Sequence, residues 1–180
     1  MQQFEDFTCG AAAFQAVCSY FGVGPDDPDE FVTILKTNAK TGTKPKEIIQ
    51  WAKNFGLHAE FVPKMSVDQL NAYFDAGRPV ICSMQAYGGT KKRQEQYTAK
   101  KDGKYLDLDG HFIVAIGYDD MNFYFEDPSL AGRRGFIPID EFDGRWHDKE
   151  VSGPYVHLGL AIWTDEVNDP AYLRKAMYIP

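Results

Sequence analysis

Along this chain the spacing of apolar residues changes from a helical period to an alternating one, and that change limits the fold more than any single motif. From Gly10 to Phe21 the residues Ala13, Phe14, Val17, Cys18 and Phe21 recur at three- and four-residue steps, a single stripe on a helix that Gly22 ends. A short helix over 30–37 and another over 45–55 follow, the second announced by Gly42-Thr43 and closed by Gly56. LHAEFVP alternates as a strand, SVDQLNAYFDAG reads as a Ser-capped helix ending at Gly77, and PVICSMQ begins strands of β-branched character. After these, HFIVAIGY, NFYFED and HLGLAIW have the pattern of antiparallel strands, with a loop or short helix over 138–142. Helices first and strands afterwards predict an α+β fold, with N-terminal helices packed as one layer on a C-terminal antiparallel sheet.

A chain of 180 residues buries one substantial core, which predicts a single domain over 1–180. With 44% hydrophobic and 25% charged residues the composition is that of an ordinary globular protein and excludes a disordered or collagen-like chain. A formal charge of -7 argues against a nucleic-acid partner, because phosphate binding needs clustered Lys and Arg. No run of eighteen apolar residues occurs, so no membrane segment is expected, and MQQFEDF lacks the basic and apolar regions of a signal peptide. A native start at Met1 implies the cytoplasm and a trimmed export signal implies the outside, so localisation stays open, as does the oligomeric state. The three cysteines, at 9, 18 and 82, form no CxxC pair and no disulfide framework. Residues 86–109 form a polar insertion, too rich in glycine and lysine to belong to the core.

Cys9 stands where the first helix begins. A thiol there meets unpaired N–H groups and the positive end of the helix dipole, which lower its pKa and make it a nucleophile. Cys18, on the apolar stripe, and Cys82, beside Val80 and Ile81, read as small buried hydrophobes. A cysteine nucleophile needs a nearby imidazole and a group to orient it. His58, in an alternating strand, His147, in a polar loop, and His157, before a late strand, are accounted for as surface or satisfied structural histidines. His111 differs, because it leads HFIVAIGY while the next strand ends at Asp127. With an odd-length loop centred on Asp119, His111 and Asp127 become directly facing neighbours on one side of a hairpin. An even loop would invert the pleat and separate them. Gln3, six residues before Cys9, is the candidate side-chain donor to an oxyanion, and Gln2 beside it offers the same amide. The reading requires a sulfur that substrate can reach.

The order Gln3, Cys9-Gly10, His111, Asp127-Pro128 resembles the papain-like, bacteriocin-processing cysteine peptidase family, which includes the leader-peptidase domains of peptide-exporting ABC transporters. The glutamine precedes the CG pair by six residues, and the histidine precedes the aspartate of the DP pair by sixteen. The likeness covers roughly Gln3 to Trp146 and implies a papain-like fold, with Cys9 as nucleophile, His111 as base and then acid, Asp127 as orienter and Gln3 as oxyanion donor. It implies a peptide or protein substrate cleaved through a Cys9 thioester, chemistry that requires no cofactor; no metal is expected, since no HExxH or paired CxxC occurs and DLDGHF lacks the remaining ligands of a calcium loop. The chain departs from the family in the length of its 86–109 insertion and in carrying no transporter segment. An acyltransferase using the same thioester and a catalytically silent peptide-binding module are the competing functions. The insertion, with Lys91, Lys92, Arg93, Lys100, Lys101 and Lys104, is either a solvated loop or a lid over the cleft for an anionic substrate.

Overall fold

A computed structural model describes residues 7–131, 133–150, 153–165 and 177–179; Gln2 and Gln3 lie outside them. Helix α1 (Cys9–Phe21) starts one residue before the sequence-based boundary and ends at Gly22, whose φ of 67° is left-handed. Helices α2 (Pro28–Ile34) and α3 (Pro45–Asn54) both carry proline in the first turn, where its missing N–H would be unpaired anyway. Strand β1 (His58–Val62) leads to α4 (Val67–Asp75), which opens with a reciprocal capping box between Ser66 and Gln69. Strand β2 (Val80–Gln85) is buried at all six positions.

The insertion contains one short helix, α5 (Lys91–Gln94), and a small hairpin of β3 (Lys100–Lys101) and β4 (Lys104–Tyr105). Strands β5 (Gly110–Tyr118) and β6 (Asn122–Glu126) follow, then a 3-10 turn over Pro128–Leu130, strand β7 (Arg134–Pro138) and helix α6 (Ile139–Arg145). Strands β8 (His147–Glu150) and β9 (Gly153–Val156) form a hairpin, and β10 (Gly159–Trp163) and β11 (Met177–Tyr178) return to the main sheet. Among the described residues seven strands form that sheet in the order β1-β10-β2-β5-β6-β7-β11, antiparallel except for the β7/β11 pair.

The two-layer expectation is corrected to three. Phe14, Phe31 and Ile48 of α1, α2 and α3 pack with Phe112, Val114 and Leu160 on one face of the sheet. Leu70 of α4 and Phe142 of α6 pack with Ile113, Phe123 and Phe125 on the other. Covering both faces is what makes β2 and most of β5 continuous apolar runs rather than alternating ones. Among the described residues no helix is long and apolar enough to cross a membrane.

The insertion is also corrected. Tyr97 is 1% exposed, inside the core, and the guanidinium of Arg145 lies 5.2 Å from its ring centroid. Residues 86–109 thus have a polar outer surface and a buried aromatic root.

Candidate active site

Cys9 is the first residue of α1. Thr8 before it makes no side-chain cap hydrogen bond, and no acidic residue stands in the first turn of the helix. Gly10 is required by packing: a Cβ there would lie 2.6 Å from Thr43 Cβ and 3.1 Å from Phe112 Cδ2. Thr43 is itself held by a 2.8 Å hydrogen bond between its hydroxyl and that of Thr37. The pair Cys9-Gly10 therefore sits where α1 is pressed against β5, one residue from His111.

His111 and Asp127 meet, although not by the expected register. The paired residues of β5 and β6 are Tyr118 with Phe123, Gly117 with Tyr124, Ala115 with Phe125 and Val114 with Glu126. The loop between Tyr118 and Phe123 is even, which alone would have put the two residues on opposite faces. Ile116 is bulged out between the pairs, and this extra residue restores the parity. Extending the register one residue past β6 sets Asp127 opposite Ile113, so His111 is its diagonal neighbour rather than its direct one. The side chains span the difference, with His111 Nε2 2.9 Å from Asp127 Oδ1.

Asp127 is held from three sides. Its Oδ1 also accepts the Ser129 N–H at 2.8 Å, capping the 3-10 turn, and its Oδ2 accepts the Tyr87 hydroxyl at 3.1 Å. The same aspartate thus ends the strand and engages the imidazole. Burial works against a charged His111, but hydrogen bonds to Asp127 and Cys9, with Coulombic attraction to both, outweigh it and raise the pKa to about 10. With Nε2 engaged by Asp127, Nδ1 is the ring nitrogen left for the sulfur. Cys9, His111 and Asp127 are 7%, 5% and 3% exposed. Cys9 as a whole residue is thus buried, where the sequence led to an open one, and it keeps a small exposed fraction at the start of α1.

The other candidates separate as expected. Burial pushes the Cys18 thiol up to about 12 and raises that of Cys82. His58 contacts Asp165 at the surface, and His157 stacks on Trp146. His147 belongs to β8 rather than a loop and is 1% exposed, with Nδ1 3.0 Å from Asp107 Oδ1 and Nε2 2.6 Å from the Tyr97 carbonyl oxygen. It is a satisfied structural histidine. Tyr87 is the site residue that sequence reasoning missed, since nothing local marks a tyrosine at the exit of a strand for contact with a residue forty positions on. Gln3 lies outside the described residues.

A model of the Peptidase_C39 like family matches residues 1–150. No relative among curated proteins matches significantly. Among solved structures, the double glycine motif protease from an AMS/PCAT transporter, in complex with the leader peptide, is similar at TM-score 0.62 and 18% identity, over 91% of this chain and 90% of that one. The peptidase domain of Streptococcus ComA, a bi-functional ABC transporter involved in quorum sensing, is similar at 0.63 and 18%, over 92% and 97%. A Bacillus anthracis protein described as C39-like gives 0.57 and 16%, over 93% and 94%. These likenesses show the fold, that of papain-like C39 peptidase domains. Since the family model spans 1–150 and the solved peptidase domains share the architecture nearly end to end, this chain belongs to the Peptidase_C39 like family and is a cysteine peptidase.

Proposed function

We propose that Cys9 is the nucleophile of a peptide-bond hydrolase, with His111 as general base and then acid, Asp127 as the group that orients the ring, and Gln3 as an oxyanion donor. The observation that carries this is the 2.9 Å contact of His111 Nε2 with Asp127 Oδ1, beside the Phe112 against which the start of α1, with Cys9, is packed. For Gln3 the support is its spacing alone, six residues before the sulfur. The two hydrophobic clusters lie on opposite faces of one sheet, which supports a single peptidase domain over 1–180.

The Cys9 thiolate attacks the scissile carbonyl carbon, and the oxygen takes up the negative charge, facing the Cys9 N–H and the Gln3 amide. The C–N bond breaks as protonated His111 gives its proton to the leaving amine, leaving a Cys9 thioester. A water, deprotonated by His111, attacks the thioester and releases the acid and the thiolate. Every proton in this sequence is accounted for by one imidazole. The solved double glycine motif protease in complex with its leader peptide supports a peptide substrate here.

The test is selective alkylation at pH 6, where an ordinary thiol is almost wholly protonated. Cys9 is expected to be labelled and Cys18 and Cys82 spared, with no labelling in Cys9→Ala. Against a peptide library containing leader sequences that end in Gly-Gly, Cys9→Ala is expected to lower turnover by about 10⁴-fold or more. Absence of a selectively reactive thiol would favour a silent binding module. Product formed on an added amine at the expense of hydrolysis would favour an acyltransferase.

A further inference from the structure

Tyr87 occupies a left-handed backbone conformation, φ 61°, which is strained for a bulky side chain. The strained conformation turns the chain out of β2 and sets the tyrosine against the His111–Asp127 pair. Its hydroxyl donates to Asp127 Oδ2 at 3.1 Å, and its ring stands edge-on to the His111 imidazole, with centroids 5.4 Å apart and planes at 87°. Hydroxyl and ring thus brace one partner each.

The residues around Tyr87 are fastened by the far ends of the insertion. Just before it, Ala86 N–H donates to the Asp109 carbonyl at 3.0 Å. Gln85 Oε1 accepts the N–H groups of Leu108 and Asp109 at 2.7 and 2.8 Å. Just after it, Gly88 N–H donates to the Tyr97 hydroxyl and Gly88 O accepts from Gln94 Nε2 at 2.9 Å. A side chain at Gly88 would collide with that hydroxyl and with Asp109, so any larger residue there would have to displace them. The insertion that leads into His111 is also what locks the strained turn.

We propose that Tyr87 is a positioning residue for the His111–Asp127 pair, and that the folded root of the 86–109 insertion exists to hold it there. This rests on Cys9, His111 and Asp127 acting as proposed above. Asp127 Oδ1 is already shared by His111 Nε2 and Ser129 N–H, so without the tyrosine hydroxyl the buried Oδ2 has no donor among the described contacts. The carboxyl group is then free to turn, which weakens its hold on the His111 ring that serves Cys9.

The experiment follows Cys9 alkylation by iodoacetamide from pH 4 to pH 10 in the wild type, Tyr87→Phe, Asp127→Asn and the double variant, and needs no substrate. Tyr87→Phe keeps the ring and is expected to move the acid limb of the profile up by about one unit, about tenfold slower labelling at pH 5, with the rate at high pH unchanged. If the hydroxyl works through Asp127, the double variant matches Asp127→Asn to within about twofold. A purely structural role would lower the melting temperature, leave the profile in place and make the two losses multiply; either of the last two results overturns the proposal. A wild type without a reactive Cys9 sinks the peptidase reading itself. A reactive wild type whose profile ignores Tyr87→Phe sinks the role of Tyr87 alone.

Discussion

Gly10 and His111 show how closely single residues are tied to the site. Placing a methyl group at Gly10 drives it into Thr43 and Phe112, both buried, so Gly10→Ala is expected to destabilise the fold by about 1–3 kcal/mol. Because the displaced element is the mouth of α1, Cys9 alkylation at pH 6 should fall in the fraction that remains folded. For His111 the folded pKa, about 10, lies above the ordinary 6.5, so the folded state holds the proton more tightly. The stability this confers is complete below 6.5 and is lost as pH rises through the folded value. Urea denaturation of the wild type and of His111→Gln should therefore converge between pH 6.5 and pH 10, and a constant difference across that window would contradict the assignment. The groups facing the ring, Cys9, Asp127 and Tyr87, are the same ones assigned to catalysis and positioning.

Elements are bounded here by caps that sequence alone announces. Ser66 and Gln69 exchange side-chain and backbone hydrogen bonds at the start of α4, and Gly22 turns left-handed at the end of α1 with open space around it. Ser66→Ala is expected to cost about 1 kcal/mol through the lost cap, and Gly22→Ala about 1–2 kcal/mol through backbone strain alone. Thermal denaturation measures both, and neither should shift the pH dependence of Cys9 labelling, since neither residue touches the site. The β5–β6 hairpin teaches the reverse lesson. Alternating residues made the two strands legible, and the spacing of His111 and Asp127 pointed to one shared face. What put them there was an even loop corrected by a bulge at Ile116, and neither feature follows from local composition.

At the level of the whole molecule, the sheet has helices on both faces and the insertion is rooted in the interior. Tyr97, 1% exposed, ties the insertion together at Gly88 through its hydroxyl and joins it to His147 through its carbonyl. Tyr97→Ala is expected to cost about 3–5 kcal/mol and to loosen the whole segment. Limited trypsin digestion should then cut at Lys91, Lys92, Lys100, Lys101 and Lys104, all exposed, before the rest of the chain. The basic surface here is therefore carried on a segment anchored in the interior through Tyr97.

Periodicity and punctuation are properties of short segments, and from them the sequence by itself determined the main helices, five of the seven strands of the main sheet, the buried Cys18 and Cys82, and the order of Cys9, His111 and Asp127 along the chain. Such signals are local because a helix stripe or a strand alternation needs only neighbours a few residues away. Only the tertiary structure decided the second helical layer, the bulge that brings His111 and Asp127 within 2.9 Å, and the contact of Tyr87 with both. Those depend on register and on packing between segments far apart in the chain, where one extra residue reverses which way every side chain points.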